Sequence, residues 1–155
     1  KHSLEIYPIS ANHSGWNHKI EKKSSQKLGL RLGFRLIKGL LRKDAIIIEK
    51  KGGKNYQTIK KFWSKMNVHY KTMVLLAEAD CFACMNINRY QALWEIYALN
   101  SNKKMPLIDK HKKLSKATKL PDILSGKQVN KDLQTFGLTL RDHPLKLLRP
   151  ILNEL

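Results

Sequence analysis

Acidic residues are scarce in this sequence: 12 Asp or Glu stand against 30 Lys or Arg in 155 residues, a formal charge of +18. The few carboxylates are scattered, and only Glu78 and Asp80 are close; residues two apart on a helix do not face each other. Metal-assisted phosphoryl or nucleotidyl transfer needs carboxylates that converge on cations, so that chemistry is not expected within this chain. Glycine-rich phosphate loops, the G-x-S-x-G elbow and H-E-x-x-H are all missing as well. No catalytic residue and no metal ligand is assigned, and no cofactor is expected in the chain itself. Apolar runs are short, Ala45 to Ile48 and Met73 to Ala77 among them, far below a bilayer span, and the basic start lacks the apolar core of a secretory signal. Neither a membrane partner nor export is expected. The chain begins at Lys1 rather than Met, and it is read as a possible piece of something longer.

Cysteine is limited to Cys81 and Cys84, too few for a disulfide framework and in keeping with a reducing, cytoplasmic compartment. Their C-x-x-C spacing raises two chemical readings. Structural zinc needs four ligands, and no second C-x-x-C or H-x-x-x-H completes the set; His69 and His111 are the nearest candidates. A redox pair opens a helix after a buried strand, whereas Tyr70 to Asp80 carries helical spacing. The pair is therefore read as two small residues packed at a turn.

What remains is a foldable, strongly basic chain, 42% hydrophobic and 8% aromatic. An excess of +18 repels itself unless a polyanion shares the space, because Lys and Arg that neutralise phosphates release counterions. Nucleic acid is the leading partner, with a simply lysine-rich solvated surface as the alternative. Leu4, Ile6 and Ile9 make a short extended piece that Pro8 keeps at an edge. A turn-rich loop follows, anchored by Trp16. From Leu28 to Leu36 the alternation is strict, Leu28, Leu30, Leu32, Phe34 and Leu36 against Gly29, Arg31, Gly33 and Arg35, which predicts one strand with a buried leucine face.

Helical spacing takes over afterwards. One helix carries Leu41, Ala45 and Ile48 and closes at Gly52-Gly53. A second carries Ile59, Phe62, Trp63 and Met66 behind Thr58, a third runs from about Tyr70 to Ala79, and a fourth from about Arg89 to Leu99 behind Asn88. Four short amphipathic helices on tight connections predict a small bundle. Residues 103 to 119 are lysine-rich and read as a solvated linker. Helical spacing returns from Val129 to Phe136, with Gly137 as a stop, and again from about Pro144 to Leu152; these helices are read as part of a neighbouring module. No internal repeat of solenoid type stands out.

Gly39 sits where strand gives way to helix, a place where a residue without a side chain lets backbone amides approach an anion beside a helix N-terminus. Ten Lys or Arg residues lie from Lys38 to Lys71, opposed only by Asp44 and Glu49. That excess favours a phosphate grip at this turn over a plain turn glycine.

Leu30-Arg31-Leu32-Gly33-Phe34-Arg35-Leu36-Ile37-Lys38-Gly39-Leu40, Ala45 to Glu49 with the Gly-Gly turn, and Leu75-Leu76-Ala77-Glu78-Ala79-Asp80 resemble the helix-hairpin-helix region of bacterial C-family DNA polymerases. Asn12-His13-Ser14-Gly15-Trp16, Arg89-Tyr90-Gln91-Ala92-Leu93-Trp94 and Gly137-Leu138-Thr139-Leu140-Arg141-Asp142-His143-Pro144-Leu145 extend the likeness in family order over nearly the whole chain. Within the family the match is to the error-prone, damage-tolerant paralogue of the replicative alpha subunit.

The resemblance implies a mainly α fold: a tandem helix-hairpin-helix bundle with a short N-terminal β element and a C-terminal helical extension. It implies residues 1–37 at the end of the fingers, 38–100 as the DNA-binding module, 101–120 as a basic linker and 121–155 as the helical lead-in to an oligonucleotide-binding fold. The implied function is non-catalytic binding of duplex DNA backbone without sequence preference, with Lys38, Gly39, Arg42, Lys43, Lys50, Lys51 and Lys54 on phosphates. The parent would be a DNA-directed DNA polymerase of translesion synthesis and repair that uses Mg2+ on carboxylates outside this chain. A sliding-clamp contact, with other translesion factors as further partners, falls on Met105, Pro106, Leu107 and Ile108. That segment has neither the Gln nor the terminal aromatic of the usual clamp peptide, and Leu41 stands where the hairpin usually has its second glycine. Two other functions are kept in view: a clamp- or mutasome-docking adapter, and a free-standing basic RNA-binding protein.

Overall fold

A computed structural model describes residues 4–22, 28–53, 55–104, 125–141, 145–146 and 149. Three short strands come first: β1 (Glu5–Tyr7), β2 (Lys19–Lys22) and β3 (Leu28–Arg31). They pair in the order β1-β3-β2, with β1 parallel and β2 antiparallel to the central β3. As the Pro8 argument requires, β1 is an edge strand that stops at Tyr7.

The long leucine strand is corrected by the structure. β3 ends at Arg31, Leu28 lies exposed, and residues Phe34–Leu36 form a single 3-10 turn. The cause is the preceding loop. Phe34 and Arg35 donate their amides to the Gly15 and Trp16 carbonyls at 2.9 and 3.1 Å, and Gly33 donates to His18 Nδ1 at 3.0 Å. A Cβ on Gly33 would lie 2.4 Å from the Asn17 carbonyl carbon, so backbone packs directly on backbone and the ladder cannot continue. Only Leu32 and Phe34 of the alternating set become fully buried.

The helices follow the apolar spacing closely. They are α1 (Arg42–Lys51), α2 (Ile59–Met66), α3 (Tyr70–Glu78), α4 (Arg89–Lys104) and α5 (Ser125–Phe136), with a second 3-10 turn at Cys81–Met85. Thr58 Oγ1 caps α2 by accepting from Lys61 N at 3.4 Å, and Asn88 Oδ1 caps α4 by accepting from Gln91 N at 2.8 Å. The core gathers Ile48, Ile59, Phe62, Met66, Met73, Leu76, Phe82 and Ile96, with Phe62 edge-on to both Tyr56 and Phe82. The predicted mainly α architecture is the observed one.

Two polar clamps tie the outer pieces to this core. Glu49 of α1 reaches back to the loop before β2, accepting from Trp16 N at 2.9 Å and pairing with Lys19 at 2.6 Å. At the other end, Arg89 and Asp132 form a buried ion pair between α4 and α5. Asp132 also accepts from Thr139 and Arg141, and Arg141 pairs with Asp80 at 2.8 Å. Burial pushes the Asp80 carboxyl up despite the neighbouring guanidinium groups. α4 runs on to Lys104, so the expected end near Leu99 is corrected and the first residues of the expected linker 101–120 are helical; residues 105–124 and most of the expected last helix lie outside the described residues.

Candidate nucleic-acid interface

Three bends in the helical region share one local plan. Each has a residue of positive φ, then an apolar residue directed into or against the core, then the residue that starts a helix. They are Gly39-Leu40-Leu41 before α1, Asn67-Val68-His69 before α3, and Asn86-Ile87-Asn88 before α4. The φ values are 80°, 52° and 58°. Glycine enters this left-handed region at no steric cost, and Asn is the side chain that tolerates it best after Gly. Each bend joins a preceding helical element, the 3-10 turn 34–36, α2 or the 3-10 turn 81–85, to the next helix.

Their surroundings differ in charge. At the first bend Lys38, Gly39, Arg42 and Lys43 are exposed. Leu41 supplies no side-chain cap; its carbonyl accepts from the amides of Asp44 and Ala45, which leaves the first-turn amides of Arg42 and Lys43 without an acceptor among the described residues. At the third bend the first residue of α4, Arg89, is buried on Asp132, so its charge is neutralised internally. The second bend is intermediate: His69 Nδ1 accepts from Lys71 N at 3.2 Å, and Lys65, His69 and Lys71 stand exposed around it. The residues assigned to phosphates from sequence, centred on the first bend, leave out Lys65 and Lys71. Their charges are in the sequence, but the repeat of the bend is not, because Asn67 stands where the first bend has its glycine and only its positive φ reveals the likeness.

The two acids of this region are turned away. Asp44 lies in the first turn of α1, where its charge would oppose an anion, but it is buried and accepts from Thr72 Oγ1 of α3. Glu49 is held by Lys19 and the Trp16 amide, and both contacts keep its carboxyl below the usual carboxylate range. Each acid is thus held by a partner, Asp44 by the Thr72 hydroxyl and Glu49 by Lys19 and the Trp16 amide.

The remaining assigned cations are divided. Lys43 and Lys50, seven apart on α1, project from nearly the same side of the helix, and Lys50 is exposed. Lys51 is exposed but directs its ammonium to the Lys65 and Met66 carbonyls at 3.2 and 3.4 Å, closing the C-terminal end of α2. Lys54 and the segment Met105 to Ile108 lie outside the described residues. Partial burial raises the Glu95 carboxyl of α4 above the ordinary value, opposed by the nearby Lys60 amide of α2.

The cysteines take the turn reading. Cys81 is buried, with its thiol pushed well up by burial, while Cys84 is exposed on the same 3-10 turn and points its Sγ at the Cys81 carbonyl. Among the described residues no three His, Cys, Asp or Glu side chains are grouped to hold a metal, and no helix is long and apolar enough to cross a membrane.

Comparison with known proteins agrees with this geometry. The helix-hairpin-helix motif family matches residues 3–92. The error-prone DNA polymerase of Ruegeria pomeroyi is 37% identical over 96% of this chain, and those of Brucella abortus and Mesorhizobium japonicum are each 31% identical over 96% and 98% of it. The chain spans only 14%, 14% and 16% of those three relatives, respectively. It belongs to the helix-hairpin-helix family and is similar, along nearly all its length, to one segment of bacterial error-prone DNA polymerases.

Proposed function

We propose that this chain is a non-catalytic module that grips the sugar-phosphate backbone of duplex DNA without reading sequence, as part of an error-prone DNA polymerase engaged in translesion synthesis and repair in the cytoplasm. One observation carries the reading: the bend at Gly39 is exposed, has a positive φ and two open first-turn amides, and is surrounded by Lys38, Arg42 and Lys43, while Asp44 is buried on Thr72 and Glu49 is paired with Lys19. Backbone amides and lysines of this kind contact phosphate oxygens that every sequence presents alike. The reading extends to the exposed Lys65 and Lys71 at the second bend, with Lys50 and Lys54 as further contacts and Lys51 limited by its bonds to α2.

Bond-making belongs elsewhere in the parent enzyme. Among the described residues no group of three or more His, Cys, Asp or Glu side chains is gathered to hold a metal, and this reading puts the Mg2+ of the parent enzyme on carboxylates outside this chain. The same reading gives the sliding clamp, and other translesion factors through it, to Met105, Pro106, Leu107 and Ile108; loss of clamp pull-down in Leu107→Ala checks that contact.

Fluorescence polarisation with labelled duplexes of about two helical turns tests the main reading. Affinity is expected to fall steeply with salt, by roughly one logarithmic unit per logarithmic unit of salt for each phosphate that the chain neutralises, and to vary little between sequences. A salt-insensitive Kd, a strong sequence preference or tighter binding to single-stranded RNA defeats it.

A further inference from the structure

The three-stranded sheet has its faces reversed relative to an ordinary surface sheet. Side chains alternate across a strand, and the register places Ile6 and Ile20 directly opposite Leu30 on either side. Leu28 extends this row along β3 and Leu4 stands two residues before Ile6. The outer row is apolar and open to solvent: Ile20 is 72% exposed, Leu4 55%, and Ile6 and Leu28 49% each.

The opposite face is polar and closed on itself. The Tyr7 ring covers Gly29, where a Cβ would sit 2.2 Å from it, and the Arg31 guanidinium lies 4.9 Å from the ring centroid. Arg31 grips Glu21 with two nitrogens at 3.0 and 2.8 Å, and the Tyr7 hydroxyl donates to Glu5 at 2.7 Å. Folding has therefore satisfied the polar groups and left the apolar row uncovered, which marks an interaction surface.

Resting on the reading that the chain is part of a polymerase, we propose that this row, Leu4, Ile6, Ile20, Leu28 and Leu30, seats an apolar, carboxylate-rimmed face of the remaining polymerase chain. Two observations choose that occupant over a second copy of the same segment. First, the matched stretch is only 14% of the Ruegeria pomeroyi polymerase, so most of such an enzyme lies outside it. Second, the row carries Lys22 opposite Leu28, while Glu5 and Glu21 are turned to the other face. Two copies, each of formal charge +18, would bring lysine to lysine across the contact. A partner bringing carboxylates to the edge of an apolar patch meets both the apolar row and Lys22.

The test titrates the flanking segments of the Ruegeria pomeroyi polymerase, expressed from either side of the matched stretch, into this 155-residue chain, with sedimentation velocity as the readout. Saturable binding is expected for the wild type. Ile6→Lys with Ile20→Lys is expected to weaken it at least tenfold, and Lys22→Glu to weaken it severalfold. Thermal unfolding of both variants is expected to match the wild type, since the side chains are exposed; a variant that unfolds early is replaced by Ile20→Ser. Absence of binding to either flank, equal binding by the double variant, or a dimer of the chain alone that Ile20→Lys dissolves would overturn the proposal. Duplex DNA affinity measured on the same samples separates this result from the DNA-binding reading, which Ile6 and Ile20 do not enter.

Discussion

The amide of Lys38 donates to the carbonyl of Thr135 at 3.0 Å, so the first basic bend is stitched to α5 across almost a hundred residues of sequence. The Thr135 hydroxyl also donates to the Glu78 carbonyl, and Arg89 with Asp132 locks the same helix in place. The bend on which DNA binding is proposed thus depends on a helix that follows the family match to residues 3–92.

Breaking the Arg89–Asp132 pair from one side leaves a buried charge without its partner. Asp132→Ala is expected to cost about 3–5 kcal/mol in urea denaturation. Hydrogen exchange of the Lys38 amide is expected to accelerate in the same variant. Unchanged protection at Lys38 would mean that α5 does not support the bend.

Gly39→Ala puts a Cβ on a residue at φ 80°, with only Leu75 Cδ1 near it at 3.9 Å. The cost is conformational strain rather than a clash, and a stability decrease of about 1–2 kcal/mol is expected. Gly39→Asn is expected to cost less, because Asn already occupies the corresponding place in the other two bends. Equal decreases for both variants in a denaturant titration would speak against the shared plan.

If both basic bends meet phosphates, Lys65→Ala with Lys71→Ala lowers the slope of log Kd against log salt by about two, as does Arg42→Ala with Lys43→Ala. Substitution at the third bend, Asn86→Gly, is expected to leave that slope unchanged. Equal slopes for wild type and both double variants would remove the bends from the interface.

Acid titration separates two carboxylates of opposite sign. Glu49 has a lowered pKa in the folded chain, so its stabilisation is complete above the unfolded value of 4.5 and disappears as pH falls through the folded one. Asp80 is raised, so folding binds its proton more tightly, and stability falls as pH rises from 3.8 towards the raised value. Glu49→Gln is expected to flatten the acid side of the stability profile. Asp80→Asn, which keeps a residue suited to positive φ, is expected to remove the opposing slope.

Thiol titration with Ellman's reagent is expected to release one equivalent rapidly from Cys84 and the second, from Cys81, only on unfolding. Two equally fast thiols would contradict the buried placement of Cys81.

The positions of the helices were legible because helical spacing, Thr58 and Asn88 all act locally, through backbone geometry and the nearest amides. Leu28 to Leu36 shows the limit. Its alternation is as regular as any in the chain, yet the Gly15 and Trp16 carbonyls take the amides of Phe34 and Arg35 and end the strand. A competitor that distant in sequence leaves no mark on a local pattern. Among the cations, residue type suggested the phosphate surface, but only the fold commits Lys51 to α2 and turns Asp44 inward to Thr72.

By itself the sequence determined that the protein is basic and mainly helical, since these follow from composition and short-range periodicity. Only the tertiary structure decided that Gly39, Asn67 and Asn86 repeat one bend, that Arg89 is paired with Asp132, and that the leucines of the sheet face outward. The physical reason is that burial and pairing are settled between segments far apart in the chain, where each charge or methyl group finds its partner only once the whole core has closed.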